Sequence, residues 1–260
     1  MVGSGNDFVV IDNRKRLISN ASSLARELCQ RQTGIGADGL LLLEGSRKAD
    51  FKVQVLNSDG SEAEACGNGF RCVALLASEE LGLPKRQRFE TVSGILEAEV
   101  NGHRVRVRLS DPVEWKGPRK IEVSGRSLHY YFIRVGVPHV VIFVEGLNQI
   151  PVGEIGKAIR FHERFKPAGT NVNFVELAGR RSLAVRTYER GVEEETLACG
   201  TGSAASAVAS ARLGYASPPI EVKTRGGEIL TVDFTRKRNE IRNLYLAGNA
   251  QLVFTGTWRT

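Results

Sequence analysis

A five-residue segment occurs twice in this chain. Ala65-Cys66-Gly67-Asn68-Gly69 returns as Ala198-Cys199-Gly200-Thr201-Gly202, almost half of the 260-residue chain later. The flanks repeat as well. Val53-Gln54-Val55-Leu56-Asn57 corresponds to Val185-Arg186-Thr187-Tyr188-Glu189, and both are strand-like segments ending on a polar residue ahead of the cysteine. Phe89-Glu90-Thr91-Val92-Ser93-Gly94 parallels Val222-Lys223-Thr224-Arg225-Gly226-Gly227, with Thr91 and Thr224 equally far beyond their cysteines. Asn6-Asp7-Phe8-Val9-Val10 echoes Asn171-Val172-Asn173-Phe174-Val175. Repetition on this scale makes two structurally similar halves the simplest architecture.

Each cysteine opens a helical pattern. Cys66, Phe70, Val73, Ala74, Ala77 and Leu81 recur at the spacing of one helix face, and Gly82 and Pro84 stop the run. The second run, Ser203 to Leu213, is almost entirely small and apolar and ends at Gly214 and Pro218. A helix without a polar face has nothing to show to water, so it is expected in a core. Strand-like segments fill most of the rest: Phe51–Leu56, Ile95–Val100, Arg104–Leu109, His129–Val135, Val140–Val144, Leu183–Tyr188, Ile229–Phe234 and Ala250–Thr255. The expected fold is α/β of the α+β kind. Each of two pseudo-symmetric halves is a curved sheet or barrel around one central helix, with the active site in the cleft between them. The expected halves are 1–111, carrying Cys66, and 112–249, carrying Cys199, hinged near Asp111-Pro112. A C-terminal strand within 250–260 is expected to complete the first half.

Composition narrows the function classes. The chain is 42% hydrophobic and 25% charged, ordinary for a globular protein. The run Leu40-Leu41-Leu42-Leu43 falls far short of the roughly 20 apolar residues that span a bilayer. No basic segment followed by an apolar stretch opens the sequence, so a cytoplasmic location is expected. The net charge of +7 is scattered. Its densest groups, Lys85-Arg86-Gln87-Arg88 and Arg236-Lys237-Arg238, lack interleaved aromatics, so neither nucleic acid nor membrane is expected as a partner. The four cysteines form no Cys-x-x-Cys, and the four histidines do not fall at zinc-ligand spacing, so no metal is expected. Gly34-Ile35-Gly36-Ala37-Asp38-Gly39 fits the letter of the dinucleotide fingerprint, but a helical segment precedes it and a strand follows, the wrong order for that motif.

The repeated motif implies a particular chemistry. A helix N-terminus carries backbone N–H groups without intrahelical partners and a partial positive charge, so it holds carboxylate or phosphate. The same field favours thiolate over thiol. Two such sites facing one ligand would place a thiol on each side of it. Inverting a carbon centre needs proton removal on one face and delivery on the other, which a thiolate/thiol pair supplies. Helix ends aimed at the adjacent carboxylate would stabilise the charge that develops on it. Cys29, on a helix pattern, and Cys72, within the helix after Cys66, are expected to be packing residues.

Jointly and in this order, several segments resemble the diaminopimelate epimerase family over nearly the whole chain. They are Gly3-Ser4-Gly5-Asn6-Asp7-Phe8, Thr33-Gly34-Ile35-Gly36-Ala37-Asp38-Gly39, Asn57-Ser58-Asp59-Gly60-Ser61 with Ala65–Cys72, Gly136-Val137-Pro138-His139, Thr170–Phe174, and Tyr188-Glu189-Arg190-Gly191 with Thr196–Gly202. The resemblance implies cofactor-independent interconversion of LL- and meso-2,6-diaminopimelate in lysine and peptidoglycan precursor synthesis, by a homodimer. It implies Cys66 and Cys199 as the acid/base thiols, with His139 and Glu189 as helpers. Gly67, Asn68, Gly200 and Thr201 would hold the reacting carboxylate by their backbone amides. Asn6, Asn57, Asn171, Glu189 and Arg190 would recognise the amino groups and the distal carboxylate. An arginine can grip a carboxylate with two parallel bonds, and a carboxylate can accept from an ammonium. Two alternatives stand beside it: another cofactor-independent racemase of similar fold, of the proline or hydroxyproline type, and a non-catalytic binding module.

Three departures from the family pattern stand out. Val137 occupies a position where the family often has Asn, which removes a hydrogen-bonding side chain from distal recognition. The stretch Gly191–Thr196 reads one residue longer than usual, adding acidity beside Cys199. The first motif comes almost at residue 1, which would shorten the usual leading strand.

Overall fold

The two helices that follow the repeated cysteines become the axes of two units. In the computed structural model all residues except Glu64, Ala65, Asn239, Arg259 and Thr260 are described, so Ala65 of the first repeat and the end of the expected C-terminal strand lie outside the described residues. One unit comprises Met1–Val107 with Ala247–Thr260, the other Arg108–Leu246.

The first unit contains β1 (Val2–Gly3), β2 (Asn6–Asp12), α1 (Ala21–Leu28), β3 (Gly39–Glu44), β4 (Phe51–Asn57), α2 (Gly67–Glu79), β5 (Arg86–Thr91), β6 (Gly94–Asn101) and β7 (Arg104–Arg108). The second contains β8 (Val113–Val123), β9 (Arg126–Val135), β10 (Val137–Phe143), α3 (Val152–Arg160), β11 (Asn171–Gly179), β12 (Ser182–Glu189), β13 (Glu194–Thr196), α4 (Gly200–Arg212), β14 (Ile220–Lys223), β15 (Ile229–Lys237) and most of β16 (Glu240–Asn249). The fold is α+β, mostly sheet with few helices.

The two units share one topology. In the first, β2 runs parallel to β3, β3 antiparallel to β4, β4 parallel to β5, and β5 antiparallel to β6. In the second, β10, β11, β12, β14 and β15 follow the same alternation. A parallel pair needs a crossover, and each is bridged by a helix: α1 and α2 in one unit, α3 and α4 in the other. By this alternation β2 is equivalent to β10, β3 to β11 and β4 to β12. The expected match of Asn6–Val10 to Asn171–Val175 is therefore corrected: β11, which carries Asn171, answers to β3. The short Asn-rich likeness reflected local composition, whereas strand order is set by the crossovers.

Each axial helix is packed on several sides. Phe70, Cys72, Val73, Ala74, Leu75 and Ala77 of α2 share a core with Phe8, Leu41, Phe51, Val55 and Phe89 from the surrounding strands. In α4, Gly200 and every residue from Gly202 to Ala211 are buried. Its alanines let strands of the second unit approach closely, with Ile133, Val141, Val175, Val185, Val222 and Val232 in the same core. Ser206 and Ser210 are also buried there, but each hydroxyl donates to a carbonyl one turn back, at 2.7 and 2.8 Å, so no polar group is stranded.

The helices over 66–81 and 203–213 and most strands stand where their periodicity predicts. Gly34–Gly39 lies after α1 and leads into β3, the order that argues against a dinucleotide site. The last strand is a correction. It runs over Glu240–Asn249; beyond it the Ala250 N–H donates to His103 O at 2.9 Å and Gln251 bridges to Val2. Ile241, Leu244 and Leu246 point inward, but Asn243 at φ 54° shifts the alternation by one residue and hides the strand from a period-two reading. No helix among the described residues is long and apolar enough to cross a membrane.

Candidate active site

In the first unit Cys66 is the N-cap of α2, with extended backbone angles (φ −142°, ψ 92°), and its sulfur accepts the Gly69 N–H at 3.3 Å. A side chain normally caps a helix through oxygen; here sulfur takes that place. Asn68, on the first turn, donates through Nδ2 to Asn6 Oδ1 at 2.7 Å, and Asn6 donates in turn to Asp38 Oδ2 at 2.9 Å. Arg71 is fully buried and donates to Asn68 Oδ1 at 3.0 Å and to Ser4 Oγ. The tight β1–β2 turn (Ser4 φ 54°, Gly5 φ 85°) is thereby tied to the start of α2. Asn57, exposed at the end of β4, donates to Ser61 Oγ at 2.9 Å.

In the second unit Cys199 is the N-cap of α4 (φ −117°, ψ 111°) and is buried. Its sulfur lies 3.7 Å from Thr201 Oγ1, and its thiol lowers the pKa of the Glu189 carboxyl. Thr196 Oγ1 donates to Glu189 Oε2, at 2.9 Å. Burial pushes the Glu189 carboxyl above its ordinary range, against the lowering effect of Thr196 and Cys199. His139 sits on β10, fully buried. Burial, and then the positive charge of Arg190, push its pKa down to about 3, so the imidazole is neutral at physiological pH.

Asn171 is almost wholly committed to the backbone. Its Oδ1 accepts the Arg190 N–H at 2.8 Å and its Nδ2 donates to Pro138 O at 3.2 Å. It thus couples Arg190, just past β12, to the segment that presents His139. The guanidinium of Arg190 donates to Ala168 O at 3.3 Å. The acidity expected beside Cys199 is offset by arginines. Glu193 pairs with Arg160 at 2.9 Å, and Glu195 pairs with Arg186 at 2.7 Å and Arg225 at 3.5 Å.

The sequence profile of the diaminopimelate epimerase family matches residues 1–115 and 131–253. This chain belongs to the diaminopimelate epimerase family. A family member from Aquifex aeolicus is 44% identical over 267 residues, covering 98% of this chain and 94% of the relative. One from Chlorobaculum tepidum is 42% identical, covering 99% of each chain. One from Archaeoglobus fulgidus is 42% identical, covering 100% of this chain and 95% of the relative. Three solved structures share the fold at low identity. A Bacillus anthracis phenazine biosynthesis protein of the PhzF family has a TM-score of 0.74 at 15% identity, covering 96% of this chain and 92% of its own. A probable proline racemase from Agrobacterium radiobacter K84 has a TM-score of 0.72 at 14%, covering 98% and 92%. A hydroxyproline epimerase from Agrobacterium vitis has a TM-score of 0.70 at 17%, covering 95% and 87%.

Within this family member, Asn6 and Asn68 meet in the first unit beside the Cys66 cap. In the second, Glu189 accepts from Thr196 and Asn171 holds Arg190. Cys72 is buried within α2, and Cys29 is the buried C-cap of α1 with its thiol pushed up by burial, as suits packing residues. Among the described residues no group of three or more His, Cys, Asp and Glu side chains is placed to hold a metal ion. Sequence reasoning missed Asn173. It stands two residues from Asn171 on β11, hence on the same face, and that i, i+2 pair was the available signal.

Proposed function

We propose that this protein is an isomerase that interconverts LL- and meso-2,6-diaminopimelate without pyridoxal phosphate or metal, with Cys66 and Cys199 as the two acid/base groups. One observation carries the reading: a cysteine occupies the N-cap position of the axial helix in both units, at the same point of a repeated topology. A single nucleophile would need one such cysteine. A stereoinversion needs two.

In the forward reaction one thiolate removes the α-proton and becomes a thiol. The opposite thiol delivers a proton to the other face and becomes a thiolate, so charge balances. Backbone amides of Gly67 and Asn68, and of Gly200 and Thr201, would hold the carboxylate beside the carbanion, where helix-end dipoles offset the growing charge. Asn6, Asn57, Asn171, Glu189 and Arg190 would bind the amino groups and the distal carboxylate. Glu189 would also buffer the Cys199 proton. With Val137 in place of a hydrogen-bonding residue, the distal end would rest on fewer side chains. A homodimer in the cytoplasm, acting in lysine and peptidoglycan precursor synthesis, completes the reading.

Incubation with LL-diaminopimelate in heavy water tests it. Deuterium should enter the α position of the meso product, because the delivering thiol carries solvent deuterium. Wash-in on proline with none on diaminopimelate would overturn the substrate assignment.

A further inference from the structure

The two units differ at three equivalent buried positions. In the first unit, β3 and β4 pair Leu41 with Val55, and Phe8 opens the β2–β3 ladder opposite Gly39. In the second, β11 and β12 pair Asn173 with Thr187, and His139 opens the β10–β11 ladder opposite Asn171. Phe8, Leu41 and Val55 therefore answer to His139, Asn173 and Thr187, and all six are buried. The equivalence extends to the axial helices. A Cβ on Gly69 would meet Leu41 Cδ2 at 3.0 Å, and one on Gly202 would meet Asn173 Oδ1 at 2.3 Å. The fold tolerates an apolar trio here, as the first unit demonstrates. Polar groups in a core are costly unless bonded, so the second unit's trio calls for a purpose beyond packing.

Its hydrogen bonds have one self-consistent arrangement. Asn173 Nδ2 lies 2.9 Å from Val140 O, and a carbonyl can only accept, so this end of the amide is the NH2 group. Thr187 Oγ1 donates to Asn173 Oδ1 at 3.0 Å, which fixes the other end. The same Nδ2 lies 3.3 Å from His139 Nδ1. A donor facing Nδ1 requires that nitrogen to be bare, so the proton of the neutral ring sits on Nε2. Among the described residues that buried Nε2 has no hydrogen-bond partner. An N–H held in place and left without a protein acceptor is poised for one that arrives with the ligand.

We propose that Asn173 is a positioning residue that holds His139 as its Nε2–H tautomer, so that the imidazole serves the reaction as a hydrogen-bond donor and not as a base. Its catalytic meaning rests on the epimerase reading; the tautomer itself does not. Gly202 belongs to the same device, since any side chain there would drive Asn173 off its partners.

The test is a long-range proton–nitrogen NMR correlation on the full chain labelled with 15N-histidine, with His139→Gln assigning the signal among the four histidines. Wild-type protein without substrate should show a protonated Nε2 and a bare Nδ1 at pH 7. Asn173→Asp offers Nδ1 an acceptor and should move the proton there. With the tautomer reversed, kcat for diaminopimelate should fall by on the order of a hundredfold or more while KM stays within about threefold, as for other wrongly protonated catalytic imidazoles. If Asn173→Asp does not fold, Asn173→Ala asks the same question. It removes the donor, and the His139 signals should average between tautomers. A protonated Nδ1 in the wild type, or a sharp wild-type pattern in Asn173→Ala, overturns the proposal. So does full turnover by Asn173→Asp with its tautomer reversed. Wild-type protein inert toward diaminopimelate would defeat the epimerase reading alone, since the wild-type tautomer is read without substrate.

Discussion

Gly202 and Asn173 approach so closely that a Cβ on the glycine would sit 2.3 Å from the amide oxygen, and 3.2 Å from the Cys199 sulfur. Neither neighbour can yield cheaply, because Asn173 is held at both ends of its amide. Gly202→Ala should therefore destabilise the protein by about 1–3 kcal/mol and displace both Asn173 and the Cys199 cap. Gly69→Ala is the internal control. Its Cβ would meet Leu41 Cδ2 at 3.0 Å and Cys66 Sγ at 3.3 Å, looser than the 2.3 Å approach at Gly202, so its cost should be smaller. Urea unfolding of the two variants measures the difference, and equal costs would contradict it.

Much of this was legible from residues, and the reason is physical. Gly202, which must admit Asn173, and the alanines that let strands approach are dictated by packing, so the repeat around Cys66 and Cys199 can be read directly from the residues. The axial helices and most strands follow from periodicity alone. Elements without a clear period were hidden. β8 is mostly exposed, and its Gly117 and Pro118 give it no alternation to read. The register-equivalent trios were also hidden, because Phe8 and His139, or Leu41 and Asn173, share no side-chain chemistry. Only strand pairing makes them counterparts, and pairing across crossovers is not written in local sequence.

The two capping cysteines should be equally indispensable. Cys66→Ala and Cys199→Ala should each abolish epimerisation, because either loss leaves one face of the stereocentre without a proton carrier. The fold should survive, since neither sulfur carries a disulfide. Turnover in both directions, followed with separate LL and meso substrates, is the measurement. Undiminished epimerisation by either variant would remove the two-thiol mechanism.

His139 and Glu189 set opposite pH slopes on stability. His139 titrates near 6.5 when unfolded and about 3 when folded, so the unfolded chain binds the extra proton between those values. Its contribution is present above pH 6.5 and is lost, at about 1.4 kcal/mol per pH unit, as pH falls towards 3. Glu189 runs the other way. Its folded pKa is raised by burial, so its contribution is present below about 4.5 and is lost as pH rises through the folded value. Subtracting the stability-versus-pH curve of His139→Gln from that of the wild type should leave a positive slope below pH 6.5. The same subtraction for Glu189→Gln should leave a negative slope above pH 4.5. A flat difference in either case would show that the group is not held as the structure has it.

Asn171 offers a way to separate scaffold from recognition. Its oxygen holds the Arg190 N–H at 2.8 Å and its nitrogen holds Pro138 O at 3.2 Å. Asn171→Leu removes the side-chain partner of both backbone groups, which should cost about 1–3 kcal/mol for each that water does not reach. Asn171→Asp keeps the acceptor for Arg190 but sets a buried carboxylate oxygen against the Pro138 carbonyl, so it too should cost stability while preserving the bond to Arg190. If the side chain mainly positions Arg190, Asn171→Asp should keep a near-normal KM for diaminopimelate while Asn171→Leu raises it along with the stability loss. If instead the amide nitrogen recognises the substrate, both variants should raise KM alike. Thermal unfolding and steady-state kinetics on the pair decide between them.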